Sequence, residues 1–179
     1  MSERPAFWGW HQLDSSWARR LVLDAGIKPG DLVVDVGAGI GAITGALVAV
    51  GARVIAVELH PGRAAALRRM FAGDNVVVVQ ADAADLRLPR TAFGVVANPP
   101  FAVSAAVVRR LTHSGSRLEH ASIVLPAWAV RRWTAGRGLG GAGAKRGFVF
   151  AAGGHVPARA FRPASPAPAR VLHITRIGT

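Results

Sequence analysis

The sequence predicts an α/β domain built on a mostly parallel sheet, and three observations carry that expectation. Short runs of Val and Ile alternate with stretches of helical composition through most of the chain, the pattern of strand–helix–strand units. The runs are nearly continuous in β-branched residues, as strands covered on both faces should be. From Gly147 onward two strand-like runs follow one another with no helix between them, so the sheet should end in an antiparallel pair at one edge.

Taken in order, residues 10–25 form a helix expected to pack over the site entrance. "DLVVDV" (31–36) is the first strand, followed by a Gly-rich turn and the helix "AITGALVAV". "ARVIAVEL" (52–59) is the second strand, and His60-Pro61-Gly62 breaks it into the helix "RAAALRRMF". "NVVVVQAD" (75–82), "FGVVAN" (93–98) and "HASIVLP" (120–126) are the third, fourth and fifth strands. "GFVFAAGGHVPARAF" and "ARVLHITRI" form the closing pair, joined by a Pro-rich connection too short to link domains. No internal repeat is visible. One domain over 1–179 is expected: a cap segment (1–30), a core carrying the chemistry (31–134), and a Gly-rich loop with the edge strands (135–179).

With 179 residues, 51% of them hydrophobic, the chain can bury a sizeable core. No stretch approaches the roughly 18 uninterrupted apolar residues of a membrane span. The polar and charged N-terminus shows no cleavable secretory signal, so a cytoplasmic protein without membrane contact is expected. There are no cysteines, which excludes disulfides and thiolate metal sites, and the six histidines show no ligand spacing; no metal is expected. The 22 Lys+Arg, 20 of them Arg, against 10 Asp+Glu give a net charge of +12. Such a charge favours a polyanionic partner. Genomic base composition explains Arg over Lys but not the shortage of acids.

The turn after the first strand reads Asp35-Val36-Gly37-Ala38-Gly39-Ile40-Gly41. Its glycines permit positive φ and close approach of a ligand at the carboxyl end of a strand. The G-x-G-x-G spacing is one residue shorter than the dinucleotide fingerprint, and alone it is equally a tight strand-to-helix turn. Glu58, however, closes the second strand 17 residues after Gly41, where a carboxylate can accept both hydroxyls of a ribose. Asp82 closes the third, within reach of an adenine amine. Three of only ten acids thus fall at the carboxyl ends of successive strands, which face one crevice in an open sheet.

If a nucleoside cofactor lies there, Asn98-Pro99-Pro100-Phe101 ends the fourth strand beside its reactive end. The prolines fix φ and stiffen the turn, so carbonyls can be aimed without reorganisation. An amine on a purine is a poor nucleophile because its lone pair is delocalised into the ring. Accepting its two N–H groups on the Asn98 side-chain oxygen and the Pro99 carbonyl favours the pyramidal geometry that can attack. Phe101 can then stack on a base taken out of its helix.

The order and content of these motifs resemble the S-adenosylmethionine-dependent adenine-N6 methyltransferases of ribosomal RNA, the Erm and dimethyladenosine-transferase family. "GWHQL" (9–13) resembles that family's "GQNFL", and "VVDVGAGIGAIT" its glycine loop. "VIAVEL" and "VVVQADAADLRLP" match its ribose and adenine segments. "NPPFAVSAAVVRRL" resembles "NIPYxISTxIIRKL", and "FRPASPAPARVLHITRI" the element "FxPxPxVdsalLrltR". The resemblance implies a Rossmann-like class I methyltransferase with a mostly parallel seven-stranded sheet, helices on both faces and an antiparallel edge. By the same resemblance, Gly37, Gly39 and Gly41 shape the cofactor loop, Glu58 takes the ribose, and Asp82 takes the adenine. His11, Leu13, Leu59, Ala83 and Asn98 complete the cofactor site, while Asn98, Pro99 and Phe101 serve catalysis.

Pro99 departs from the family's usual Ile or Leu. Asn-Pro-Pro-Tyr/Phe also marks DNA adenine and protein glutamine-N5 methyltransferases, so the motif alone does not choose the substrate; the "AVSAAVVRRL" continuation with Ser104 and the "GWHQL" element favour rRNA. The chain also stops at Thr179, where most Erm-type enzymes continue into a helical C-terminal domain. The Erm branch implies methylation of free or pre-assembly large-subunit rRNA by a monomer, and resistance to macrolides, lincosamides and streptogramin B. Small-subunit rRNA, DNA and protein side chains are the alternatives within this chemistry; a nicotinamide oxidoreductase or a non-catalytic RNA-binding module stands outside it. Arg109 and Arg110 are RNA-binding candidates, as are Arg131, Arg132, Lys145 and Arg146 in a segment that also carries Trp128 and Trp133. A buried Trp pair opposite solvated arginines is the competing reading of that segment. Trp8 and Trp10 read as cover for the site, Trp10 with the better claim to a role because it lies in "GWHQL".

Overall fold

The computed structural model describes residues 11–137, 147–165 and 167–178. A short strand β1 (Gln12–Leu13) leads into helix α1 (Ser15–Asp24), whose start is fixed by Asp14: its Oδ1 accepts Ser16 N–H at 2.9 Å. Strand β2 (Leu32–Val36) feeds α2 (Ala42–Ala49), and β3 (Arg53–Glu58) feeds α3 (Pro61–Met70). Helix α3 opens on Pro61, with the His60 Nδ1 accepting the Gly62 amide at 3.1 Å. Then come β4 (Val76–Gln80), β5 (Phe93–Ala97), α4 (Ser104–Leu111), β6 (Leu118–Pro126) and α5 (Ala127–Thr134). The chain closes with β7 (Phe148–Val156), a short β8 (Phe161–Arg162) and β9 (Ala169–Arg176).

Seven strands form one sheet in the order β4-β3-β2-β5-β6-β9-β7. The pairs among β4, β3, β2, β5 and β6 are parallel; β9 runs antiparallel to both β6 and β7, the expected antiparallel edge. Strand alternation assigns residues to opposite layers. Val34, Val95, Ile123 and Leu172 face α4 and α5 with Val107, Leu111 and Trp133. Val33, Val96, Val124 and Val171 lie in the layer of α1 and α2 with Val22 and Leu47. Each such fully buried Leu or Val contributes roughly 1.5–3 kcal/mol of apolar transfer.

Three expectations need correction. Strand β4 reads as covered on both faces, yet it is an edge strand whose Val77 and Val79 are 62% and 37% exposed; α3 covers only the Val76 and Val78 side. The run from 147 to 161 is not one strand: it ends at Val156, since Pro157 has no N–H to continue a ladder, and a single 3-10 turn follows. β8 beyond it pairs antiparallel with β1, Gln12 opposite Arg162, in a two-stranded sheet the sequence did not announce. Finally, α1 packs on α2 with Ala18, Leu21 and Val22 buried, and it is the extended His11–Leu13 segment, not the helix, that borders the crevice. Among the described residues no helix is long and apolar enough to cross a membrane.

Candidate active site

A cleft of about 180 Å3 opens at the carboxyl ends of β2, β3 and β5. The connection from β2 runs to β3 on one side and that from neighbouring β5 runs to β6 on the other, so the crevice between β2 and β5 is the switch point where open α/β sheets bind ligands.

The glycine loop forms the floor. Gly37, Gly39 and Gly41 all have positive φ, at 78°, 58° and 91°. A Cβ on Gly37 would lie 3.2 Å from Pro100 Cδ and 3.3 Å from Pro99 Cα, so the missing side chain is what lets the proline turn close over the loop. Gly37 lines the cleft, whereas Gly39 and Gly41 shape the loop without lining it. The amides of this loop are turned inward. Gly37 and Ala38 both donate to Val57 O at 2.9 Å, Gly41 to Ala38 O at 2.8 Å, Gly39 to Glu58 Oε2 at 2.9 Å, and Ile40 to Gln12 Oε1 at 3.4 Å. A loop whose amides are spent on the protein offers no cradle for a pyrophosphate. It suits a nucleoside ligand without phosphates, and it argues against the dinucleotide reading.

The three acids differ sharply. Glu58 is buried, and besides Gly39 it accepts His60 N at 2.8 Å and the Arg63 guanidinium at 3.0 Å and 2.8 Å. Four donors on two oxygens leave a ribose hydroxyl little room unless Arg63 turns aside. Asp82 is exposed; its Oδ1 caps the 3-10 turn Ala83–Asp85 by accepting Ala84 N at 2.8 Å, and no hydrogen bond among the described residues engages its Oδ2. Asp35 is fully buried in the cleft wall. Thr44 Oγ1 donates to its Oδ2 at 2.7 Å, while its Oδ1 has no partner among the described residues. Burial pushes its pKa up to about 7, and the Glu58 charge adds to the rise against the Thr44 hydrogen bond.

Opposite the acids stands the turn after β5. Asn98 Nδ2–H donates to the backbone carbonyl of His11 at 2.8 Å. A carbonyl can only be satisfied by the NH2 side of the amide, so this contact fixes the amide's orientation and leaves Oδ1 without a partner among the described residues. Pro99 is buried in the cleft wall, and no hydrogen bond among the described residues engages its carbonyl. Phe101 opens a 3-10 turn (Phe101–Val103), half-buried, one side against the α1–α2 core and the other on the cleft. His11, Leu13, Leu59 and Ala83 also line the cleft.

Four of the lining residues that the sequence reading did not assign to the site bear on its chemistry or shape. Gln12 sits within the quoted "GWHQL", and its contact with Ile40 is a tertiary one; Pro100 was seen only as a stiffener. Asp35 stands among the three acids without an assigned role, and Arg63 lies in the helix run "RAAALRRMF", where nothing in the sequence singles it out. The RNA-binding candidates lie elsewhere. Arg109 and Arg110 are at the end of α4 remote from the proline turn, with Arg110 Nε donating to Leu86 O at 2.7 Å. Arg131 and Arg132 are exposed in the last turn of α5. Trp133 is buried while Trp128 is 58% exposed, so the segment holds no buried Trp pair. Lys145, Arg146, Trp8 and Trp10 lie outside the described residues.

The sheet order, the helices on both faces and the inward-turned glycine loop define a class I S-adenosylmethionine-dependent methyltransferase fold. The profile of the ribosomal RNA adenine dimethylase family matches residues 12–143, and the chain belongs to that family. An rRNA adenine N-6-methyltransferase of Corynebacterium diphtheriae is 32% identical over 149 residues, covering 82% of this chain and 58% of the relative. The ribosomal RNA small subunit methyltransferase A of Rhodococcus erythropolis is 36% identical over 134 residues, covering 70% and 45%. The crystal structure of the 23S rRNA methyltransferase ErmE superposes with a TM-score of 0.81 at 25% identity, over 93% of this chain and 70% of that one. The chain spans about half the length of the curated relatives it matches.

Proposed function

We propose that this chain transfers a methyl group from S-adenosylmethionine to the exocyclic N6 of an adenine in ribosomal RNA. The observation that carries the reading is the Asn98 amide, held by His11 so that its Oδ1 has no partner among the described residues, on a turn where Asn98 and Pro99 both line the cleft. Two acceptors on one stiff turn can receive both N–H groups of an adenine amine and hold it in the pyramidal form that attacks. When bound, S-adenosylmethionine supplies an electrophilic methyl on a sulfonium. The residues present fit its adenosine: Gly37 gives the close approach, Asp82 Oδ2 is open to the adenine amine, and the loop asks for no phosphate. Phe101 offers its face to the target base. The proton shed by the amine passes to solvent, and no strong base is needed.

Large-subunit 23S rRNA, free or before assembly, is the preferred substrate, with a monomeric cytoplasmic enzyme and macrolide–lincosamide–streptogramin B resistance as the consequence. The likeness to ErmE over nearly the whole chain supports this choice. The 36% identity to a small-subunit enzyme supports 16S rRNA as the second reading. Incubation with methyl-labelled S-adenosylmethionine and separate pools of 23S rRNA, 16S rRNA and DNA tests both. Label on a 23S adenine, with macrolide tolerance in a sensitive host, is the expected result. Label confined to 16S rRNA moves the enzyme to the second reading, and label confined to DNA removes RNA altogether.

A further inference from the structure

The amino ends of β5 and β6 carry a second charged feature, on the opposite side of the sheet from the cleft. Two adjoining depressions of about 330 and 560 Å3 share Arg90, Gly115 and Arg117. Arg110 and His113 border one of them, Arg176 and Glu119 the other. Four guanidiniums therefore face a continuous surface with a single carboxylate, and among the described residues none of the four is in an ion pair. Two are held in place by carbonyls. Arg110 Nε donates to Leu86 O at 2.7 Å; Arg176 donates to Leu118 O at 2.8 Å and Ser116 O at 2.6 Å and lies over the Phe148 ring. Arg90 and Arg117 are exposed, and among the described residues no hydrogen bond engages either guanidinium; the Arg117 backbone carbonyl accepts the Phe93 amide at 3.2 Å.

We propose that this basic groove binds the phosphate backbone of a second segment of the RNA whose target adenine enters the cleft. The inference rests on the RNA-methyltransferase reading above. Four guanidiniums against one carboxylate, two of them held in place by backbone carbonyls, suit a polyanion, and the planar fork of Arg matches phosphate oxygens. Thr91, Ser114 and Glu119 make the rim of the larger depression polar, and of the smaller one only Leu88 and Pro89, both half-buried, are apolar. Helix α4 connects the two sites. It begins just after Phe101 and ends beside Arg110, a span of eight residues or about 12 Å. One RNA can therefore present a base at Phe101 and a neighbouring backbone stretch at the groove.

The test is the double variant Arg90→Gln/Arg117→Gln, compared with wild type and with Arg90→Lys/Arg117→Lys. Affinity for a 23S rRNA transcript is measured across a salt series, S-adenosylhomocysteine affinity by calorimetry, and poly-L-glutamate serves as an acidic polypeptide probe. The expected result is a salt slope reduced by roughly 0.7–0.9 for each lost phosphate contact, restored in the Lys pair, with cofactor affinity unchanged. A wild-type enzyme that methylates rRNA while the Gln pair keeps the full slope overturns the groove alone. Loss of poly-L-glutamate binding with an unchanged RNA slope assigns the groove to an acidic protein and overturns it too. A wild-type chain that neither binds nor methylates rRNA overturns the functional reading, and the groove proposal falls with it.

Discussion

Asn98 donates its side-chain N–H to the carbonyl of His11 across 2.8 Å, joining residues 87 positions apart. The contact explains why a segment ahead of the sheet belongs to the site: it supplies the acceptor that fixes the Asn98 amide and leaves its Oδ1 without a partner among the described residues. Asn98→Ala should therefore lower single-turnover methyl transfer by about two orders of magnitude, the scale of one preorganised polar group, with cofactor affinity nearly intact. Asn98→Asp, of equal size, cannot donate to His11 and should fail similarly. Rapid-quench kinetics beside calorimetry decide it; near wild-type turnover in the Ala variant removes the role given to this turn.

Asp82 and Glu58 should separate when each is changed to Ala. Losing Asp82 removes an acceptor for the adenine amine and should weaken cofactor binding by about 1–3 kcal/mol. The stability cost is that of a lost cap, about 1 kcal/mol. Losing Glu58 strips acceptors from Gly39, His60 and Arg63 together, so both the melting temperature and cofactor affinity should fall. Calorimetry paired with thermal melts reads the two effects, and unchanged affinity in both variants would end the assignment of these acids.

The elements legible from sequence are those whose pattern is local. Val and Ile runs placed β2, β3, β5 and β6, and the absence of a helix after Gly147 placed the antiparallel edge, because strand period and the succession of strands and helices are written in neighbouring residues, whereas the order within the sheet is not. The exposed Val77 and Val79 misled because a β-branched run looks the same at a sheet edge as at its centre. Gln12 and the β1–β8 pairing were illegible for another reason: each depends on what lies across the fold, from Ile40 to Arg162. Arg63 reaches Glu58 only five residues back, a contact set by the turn between β3 and α3 rather than by residue type. Motif spacing brought Asn98 to the site, but only the structure shows which way its amide faces.

Gly37→Ala tests the join between cofactor loop and proline turn. Its φ of 78° disfavours any L side chain, and the new methyl would meet Pro99 and Pro100 at 3.2–3.3 Å. The turn must then move. We expect a destabilisation of about 1–3 kcal/mol and a loss of turnover larger than the loss of cofactor affinity. Chemical denaturation and steady-state kinetics check this, and a variant with wild-type stability and turnover would show that the two loops are not in register-dependent contact.

The last prediction concerns pH and the buried Asp35. Its pKa rises from 3.8 unfolded to about 7 folded, chiefly because burial penalises the carboxylate. Between those values the unfolded chain has released the proton while the folded one retains it, so stability must fall as pH rises. The contribution is fully present below about pH 4 and is lost by the time pH has passed through about 7, a change of roughly a few kcal/mol. Asp35→Asn keeps the size, can still accept from Thr44, and cannot titrate. Its stability should lack this component, so the difference between wild type and variant should drift in the variant's favour from pH 4 to pH 7. Urea unfolding of both proteins at half-unit pH steps measures the difference directly. A difference that stays flat across that window means Asp35 is ionised in the folded protein, with its Oδ1 reached by a donor.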